Sequence, residues 1–183
     1  MDLTVYSILW TRPGFGAEGT GGNLWTEWGL GVNFKLLGGN LGINPQFGIL
    51  NGTLLSGGKR GLTFEGIVPN LSANYDDGFL QGNVYLGYYI GLRSQDGSKK
   101  NDFLHYWVSA GVSFLKRFSV GAHYEALWQT RGYKDDEVED LYQWIGPYVE
   151  VRALSGFIRF AAGVDVGGEE TADFYQITTG LNF

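Results

Sequence analysis

Along nearly its whole length the chain alternates, two residues at a time, between apolar and polar side chains. The stretch FLQGNVYLGYYIGLR (79–93) shows it best. Leu80, Gly82, Val84, Leu86, Tyr88, Ile90 and Leu92 form one set; Gln81, Asn83, Tyr85, Tyr89 and Arg93, with Phe79, Gly87 and Gly91, form the other. A period of two is the mark of a β-strand, because successive side chains point to opposite faces. The run is much longer than the roughly 5–6 residues of an ordinary strand. The question is whether its apolar face meets a protein core or lipid.

The same alternation predicts ten strands, at about 2–12, 23–37, 41–54, 62–76, 79–93, 103–114, 118–131, 141–153, 156–167 and 174–183, and no segment of useful length carries a helical period. The connections alternate too. Short turns fall at 38–39, 77–78, 115–117 and 154–155, where Gly-Gly and Asp-Gly suit hairpins that need positive φ. The other links, GFGAEGTGGN, LSGGKRG, SQDGSKKND, GYKDDEVED and GGEETAD, are longer and polar. Both termini and all the short turns therefore share one rim, and the long loops the other. The turns set cross-strand pairs: Glu150 opposite Arg159, Ser109 opposite His123, Trp107 opposite Glu125. In strand four, Leu62 and Phe64 are out of phase with Ile67, Leu71, Ala73 and Tyr75, which predicts a bulge or a loop extension.

Residues 1–183 read as a single domain, with no linker-like run. The net charge of −6 argues against nucleic acid as a partner, since phosphate binding needs clustered Lys and Arg. The chain has no cysteine, so thiol chemistry is excluded. No apolar run is long enough for a transmembrane helix. After Met1 the chain enters strand-like sequence at once, as expected of a mature protein with a start Met in place of a secretion signal.

Lipid is the better solvent for the apolar faces. The opposite faces carry Gly, Asn, Gln, Ser, Tyr and Trp rather than the Lys and Glu that cover soluble strands. Aromatics stand towards the ends of the apolar faces (Trp10, Trp28, Tyr75, Tyr106, Phe114, Phe118, Trp128 and Phe183), as in the girdles of membrane barrels. Loops sorted by length between two rims are a further membrane-barrel trait. The expected fold is an all-β, ten-stranded, antiparallel, up-and-down transmembrane β-barrel. Lipid satisfies no strand edge, so strand one is expected to pair with strand ten.

The chain closes on FYQITTGLNF, with Tyr175, Ile177, Thr179, Leu181 and Phe183 on one face. In this it resembles the Gram-negative outer-membrane β-barrel proteins, whose last strand carries alternating apolar residues and a terminal aromatic. The resemblance implies the bacterial outer membrane, periplasmic termini and extracellular long loops. It implies as partners membrane lipids and lipopolysaccharide, and periplasmic chaperones and the barrel-assembly machinery for insertion. A monomer is expected, without cofactor or metal.

A barrel of this size is expected to be plugged or narrowly open. The residues expected to line its lumen are Glu27, Lys35, Gln81, Asn83, Tyr85, Tyr89, Arg93, His105, Trp107, His123, Glu125, Glu150, Arg152, Arg159 and Asp165. They read either as a polar network that holds the barrel rigid or as the constriction of a small pore or solute-binding site. Ser109, His123 and Glu125 are the candidates for nucleophilic chemistry. Glu125 lies two residues from His123 on the same strand, a poor position for an orienting acid, so an outer-membrane lipid-modifying enzyme is the lesser reading. Pro45 and Pro69, which cannot donate to a ladder, mark a candidate lateral seam or a pair of bulges. The acidic loop 134–140 reads as a solvated tip, or as a site for divalent ions beside lipopolysaccharide or for a cationic partner. A structural or adhesion barrel acting through its long loops is the remaining alternative.

Overall fold

The computed structural model describes residues 1–11, 24–56, 60–95, 99–115, 117–132, 138–153, 155–167 and 173–181. Among these, the strands are β1 (Asp2–Thr11), β2 (Leu24–Leu36), β3 (Leu41–Gly52), β4 (Leu62–Asp76), β5 (Leu80–Gly91), β6 (Asp102–Phe114), β7 (Phe118–Arg131), β8 (Glu139–Ala153), β9 (Gly156–Asp165) and β10 (Asp173–Leu181). Each strand pairs antiparallel with its sequence neighbours, giving one 10-stranded sheet in the order β1 to β10. The strand limits agree with the alternation to within a few residues. Phe183 and most of the acidic loop, 134–137, lie outside the described residues.

The sheet curls strongly, with the polar sets on its concave face. Glu27, His105, His123 and Glu125 are almost wholly buried there. The convex face carries Leu30, Phe47, Leu71, Val84, Val108, Val149 and Ile158, all exposed. This inverts the usual soluble arrangement, in which charged groups are rarely buried and large apolar patches are rare on the surface.

The expected closure is corrected. Among the described residues β1 and β10 form no pairing, and the sheet is an open, half-barrel curl. The outward residues of these two edges are accordingly the barest, with Leu3 at 77% and Ile177 at 68% exposed, against 41% for Val108 in the middle. Closure was expected because a lipid surround leaves the N–H and C=O groups of a strand edge unsatisfied. The curl itself is set by side chains that reach across the concave face. Trp10 is a second correction. It does not join the outer girdle but stacks on Trp25 inside, with ring centroids 4.1 Å apart. In β1, Thr4, Tyr6, Ile8 and Trp10 turn inward and Leu3, Val5, Ser7 and Leu9 outward. Both sets are largely apolar, so alternation alone could not say which was which.

The break of phase in strand four is a bulge. Pairing passes from Leu50 opposite Gly66 to Gly52 opposite Leu62, and Phe64 takes φ 59°. That positive φ is uncommon for a bulky residue. The extra residues turn Glu65 inward. At the short-turn rim, Asp77 Oδ1 accepts from the amides of Phe79 (2.9 Å) and Leu80 (2.7 Å). These bonds hold its carboxyl below the ordinary range, and Gly78 supplies the positive φ of 91°.

Glycines make room for the inward phenols. A Cβ on Gly111 would collide with the Tyr148 hydroxyl and with the Val120 carbonyl. Gly111→Ala is expected to destabilise the chain by about 1–3 kcal/mol through overpacking. A lowered urea midpoint for unfolding from lipid vesicles checks it, and an unchanged midpoint would show that Tyr148 has room to move.

Candidate functional site

The residues expected to line the interior gather in two clusters. The larger lies across the middle of the concave face. Glu27, on β2, accepts at Oε1 from the hydroxyls of Tyr6 (2.5 Å) and Tyr85 (3.2 Å) and at Oε2 from that of Tyr89 (2.8 Å). Asn70 Nδ2 donates to the Tyr6 hydroxyl at 2.5 Å. The Tyr89 hydroxyl also lies 2.8 Å from His105 Nδ1. The other ring nitrogen of His105 is 2.9 Å from Glu125 Oε1.

Glu125 is the hub of the opposite half. Tyr142 donates to its Oε1 at 3.1 Å and Gln176 Nε2 to its Oε2 at 2.9 Å. His123 Nε2 lies 3.2 Å from the same Oε2, and His123 Nδ1 is 2.8 Å from Ser109 Oγ. Side chains from β1, β2, β4, β5, β6, β7, β8 and β10 thus meet in one hydrogen-bonded belt. The two edge strands contribute Tyr6 and Gln176, which is how the belt sets the curl. Buried polar networks of this kind rigidify when every member is satisfied.

The expectation about Ser109, His123 and Glu125 needs revising. Ser109 does face His123, as the turn register requires, and Glu125 does reach the far nitrogen of the imidazole. The strand's twist and the long Glu side chain allow what a flat strand would not. The three form the connectivity of a serine triad. However, Ser109 is 2% exposed, and Glu125 is already bonded to His105, Tyr142 and Gln176. No substrate carbonyl reaches the hydroxyl in this packing. Among the described residues, no group of His, Asp and Glu is placed to hold a metal ion.

The second cluster closes the short-turn end. Arg152 pairs with Glu150 (2.7 Å) and with Asp76, and donates to Gln81 Oε1. Arg159 pairs with Glu150 at 2.7 Å across the predicted β8–β9 register and lies 4.6 Å above the ring of Tyr148. Gln81 donates to the Tyr148 hydroxyl at 2.7 Å. Asn83 accepts from the indole of Trp107 at 2.6 Å, and Trp107 stacks on Tyr85 of the central belt at 3.9 Å.

Three expected lining residues lie elsewhere. Lys35 is exposed at the short-turn rim, paired with Asp2 at 2.7 Å. Arg93 follows the end of β5 and donates to the Thr63 carbonyl at 2.9 Å at the long-loop mouth. Asp165 caps the end of β9, accepting from the amides of Gln143 and Gly167.

The long-loop mouth holds a feature the alternation did not reveal. Residues 53–56 turn inward after β3. Leu55 is fully buried against Leu50, Val68, Tyr89, Phe103 and Leu127, and Leu54 packs beside it. Glu65 Oε1 accepts from the amides of Leu55 (2.7 Å) and Ser56 (2.6 Å), and Asn101 N donates to Leu55 O at 2.8 Å. The bulge at Phe64 is what points Glu65 at this segment. The broken phase of strand four was its trace in the sequence. Tyr6 and Asn70 were also missed, since neither a phenol nor an amide on a mixed face draws attention alone.

The prolines do not open the seam between β3 and β4. Pairing there runs unbroken from Leu41 opposite Tyr75 to Leu50 opposite Gly66, through Pro45 and Pro69. Each proline interrupts the ladder on its other side instead. The β2–β3 pairing skips from Gly31–Gln46 to Phe34–Ile43, and the β4–β5 pairing from Ile67–Ile90 to Asn70–Gly87. A proline has no N–H to donate, and here the missing bond falls on those seams.

No curated protein and no solved structure matches the chain. One family model does, and it covers residues 1–183. The chain belongs, over its whole length, to the family of unknown function DUF6733.

Proposed function

We propose that the chain is an integral β-barrel of the Gram-negative outer membrane, closed in the bilayer by pairing of β1 with β10, and that its interior is a narrow, gated path for a small polar solute. The observation that carries this reading is the inversion of the sheet. Its strands turn apolar side chains outward, while Glu27, His105, His123, Glu125 and Glu150 are buried within. Lipid is the solvent for which that arrangement costs least. Antiparallel order, similar length and apolar outward residues make β1 and β10 suitable mates. The path is shut at three levels: by Leu54 and Leu55 at the long-loop mouth, by the central belt, and by the Arg152–Glu150–Arg159 cluster. Pores of this kind are gated by such constrictions.

The filled interior favours a second reading, a structural barrel that works through its long loops. One experiment separates them. The chain is refolded into vesicles with cysteines at Val5 and either Thr179 or Leu181, then reconstituted in planar bilayers without them. An intramolecular disulfide supports closure; a disulfide-linked dimer means that the edges pair between copies. Rare small conductance steps that rise about tenfold when Leu54 and Leu55 are both replaced by Gly support the gated path. A membrane silent with both proteins supports the structural barrel.

A further inference from the structure

We propose that Glu27, His105 and Glu125 hold one excess proton between them at neutral pH, shared through the Tyr89 hydroxyl, so that the centre of the fold is a buried proton-binding site. Tyr89 has a single hydroxyl hydrogen, yet its oxygen lies 2.8 Å from both Glu27 Oε2 and His105 Nδ1. If Glu27 is ionised it only accepts, so the Tyr89 hydrogen goes to it and His105 Nδ1 must carry a hydrogen. At the other end of the ring, Nε2 lies 2.9 Å from Glu125 Oε1. If Glu125 is also ionised, Nε2 must carry a hydrogen too, and His105 is an imidazolium.

A neutral His105 requires the extra proton to sit on one of the carboxyls. On Glu27, it donates to Tyr89, whose own hydrogen turns to Nδ1. On Glu125, it donates to Nε2. These three placements differ only by movement of hydrogens along existing bonds. Removing the proton altogether sets two lone pairs against each other within 3 Å, in groups that are at most 1% exposed. A buried polar group left facing its like is costly.

The surrounding groups do not supply the missing hydrogen. Tyr6 on β1, Tyr85 on β5 and Asn70 on β4 direct their hydrogens at Glu27 or at one another. The Tyr142 hydroxyl on β8 lies 3.1 Å from Glu125 Oε1 and 3.3 Å from His105 Nε2, and Gln176 on β10 donates to Glu125 Oε2; neither puts a hydrogen on the 2.9 Å line between Nε2 and Oε1. His123 on β7 is satisfied when neutral, donating from Nε2 to Glu125 and accepting the Ser109 hydroxyl hydrogen at Nδ1. Among the described residues, Arg and Lys side chains take no part in the bonds of the central belt.

The test is the pH dependence of unfolding for the whole chain, refolded in detergent micelles, from about pH 7.5 to 9. There the unfolded chain's Glu and His side chains are deprotonated. The folded chain then binds one proton more than the unfolded, so stability falls as pH rises. Its unfolding equilibrium constant rises tenfold per pH unit. In Glu27→Gln the amide donates to Tyr89, whose hydrogen goes to Nδ1, and no excess proton is needed. That slope is expected to vanish in Glu27→Gln and in Tyr89→Phe, and to remain in Tyr85→Phe.

Should the variants not fold, the wild type answers directly. Its His105 nitrogen-15 shifts are expected to show an imidazolium, or its infrared spectrum the carbonyl band of a protonated carboxyl. A wild-type slope no steeper than that of Glu27→Gln overturns the proposal. So does a neutral His105 in a protein with no protonated carboxyl.

Discussion

Val108→Arg is expected to destabilise the chain in lipid vesicles by about 2–4 kcal/mol, the cost of placing Arg on the lipid face of a barrel near the bilayer midplane. Val108 stands at the middle of β6, opposite Val84 on β5 and Tyr124 on β7, with its side chain on the convex face. The expectation depends entirely on the solvent outside. Were that face wetted, a partly exposed valine at 41% would accept Arg within about 0.5 kcal/mol. Urea unfolding of the wild type and the variant from vesicles decides the matter. A cost below about 0.5 kcal/mol would remove the membrane reading at its root.

Glu150→Ala is expected to cost about 3–5 kcal/mol, the usual penalty for leaving one partner of a buried ion pair. Glu150 is 2% exposed and binds both Arg152 and Arg159. Arg152 keeps Asp76 and Gln81 when Glu150 goes. Among the described residues Arg159 keeps only its stacking over Tyr148 and Phe157, and a guanidinium cannot shed its proton to escape. The double variant Glu150→Leu with Arg159→Met should recover most of the loss, because well-packed apolar replacements of buried pairs are often neutral. If the single and double variants unfold at the same urea concentration, the ion pair is not what holds that end of the sheet.

The two predictions probe opposite faces of the same alternation, and the sequence treated those faces unequally. On β5 the split between Leu80–Leu92 and Gln81–Tyr89 was clean, and every side chain took the face assigned to it. On β1, where Tyr6, Ile8 and Trp10 compete with Leu3, Val5 and Leu9, periodicity identified a strand but not its inside. The register at short turns was also legible, because a tight turn leaves few ways to pair. Glu150 with Arg159, Ser109 with His123 and Trp107 with Glu125 followed from turn length alone. Contacts across the concave face were not. Tyr89 and Glu27 are separated by 62 positions, and Gln176 and Glu125 by 51. No turn relates such pairs; the curl of the whole sheet does.

The strands and their order follow from a period of two and from local turns, and so does the assignment of faces wherever, as on β5, the two sets differ clearly in polarity. Long-range packing set how strongly the sheet curls, the lack of β1–β10 pairing among the described residues, the filling of one mouth by Leu55, and the placing of His105 between Glu125 and, through the Tyr89 hydroxyl, Glu27. Those outcomes depend on distances between residues far apart in the chain. Such distances are fixed by how bulky side chains such as Trp10, Tyr85 and Tyr89 fill a common interior, and alternation carries no record of them.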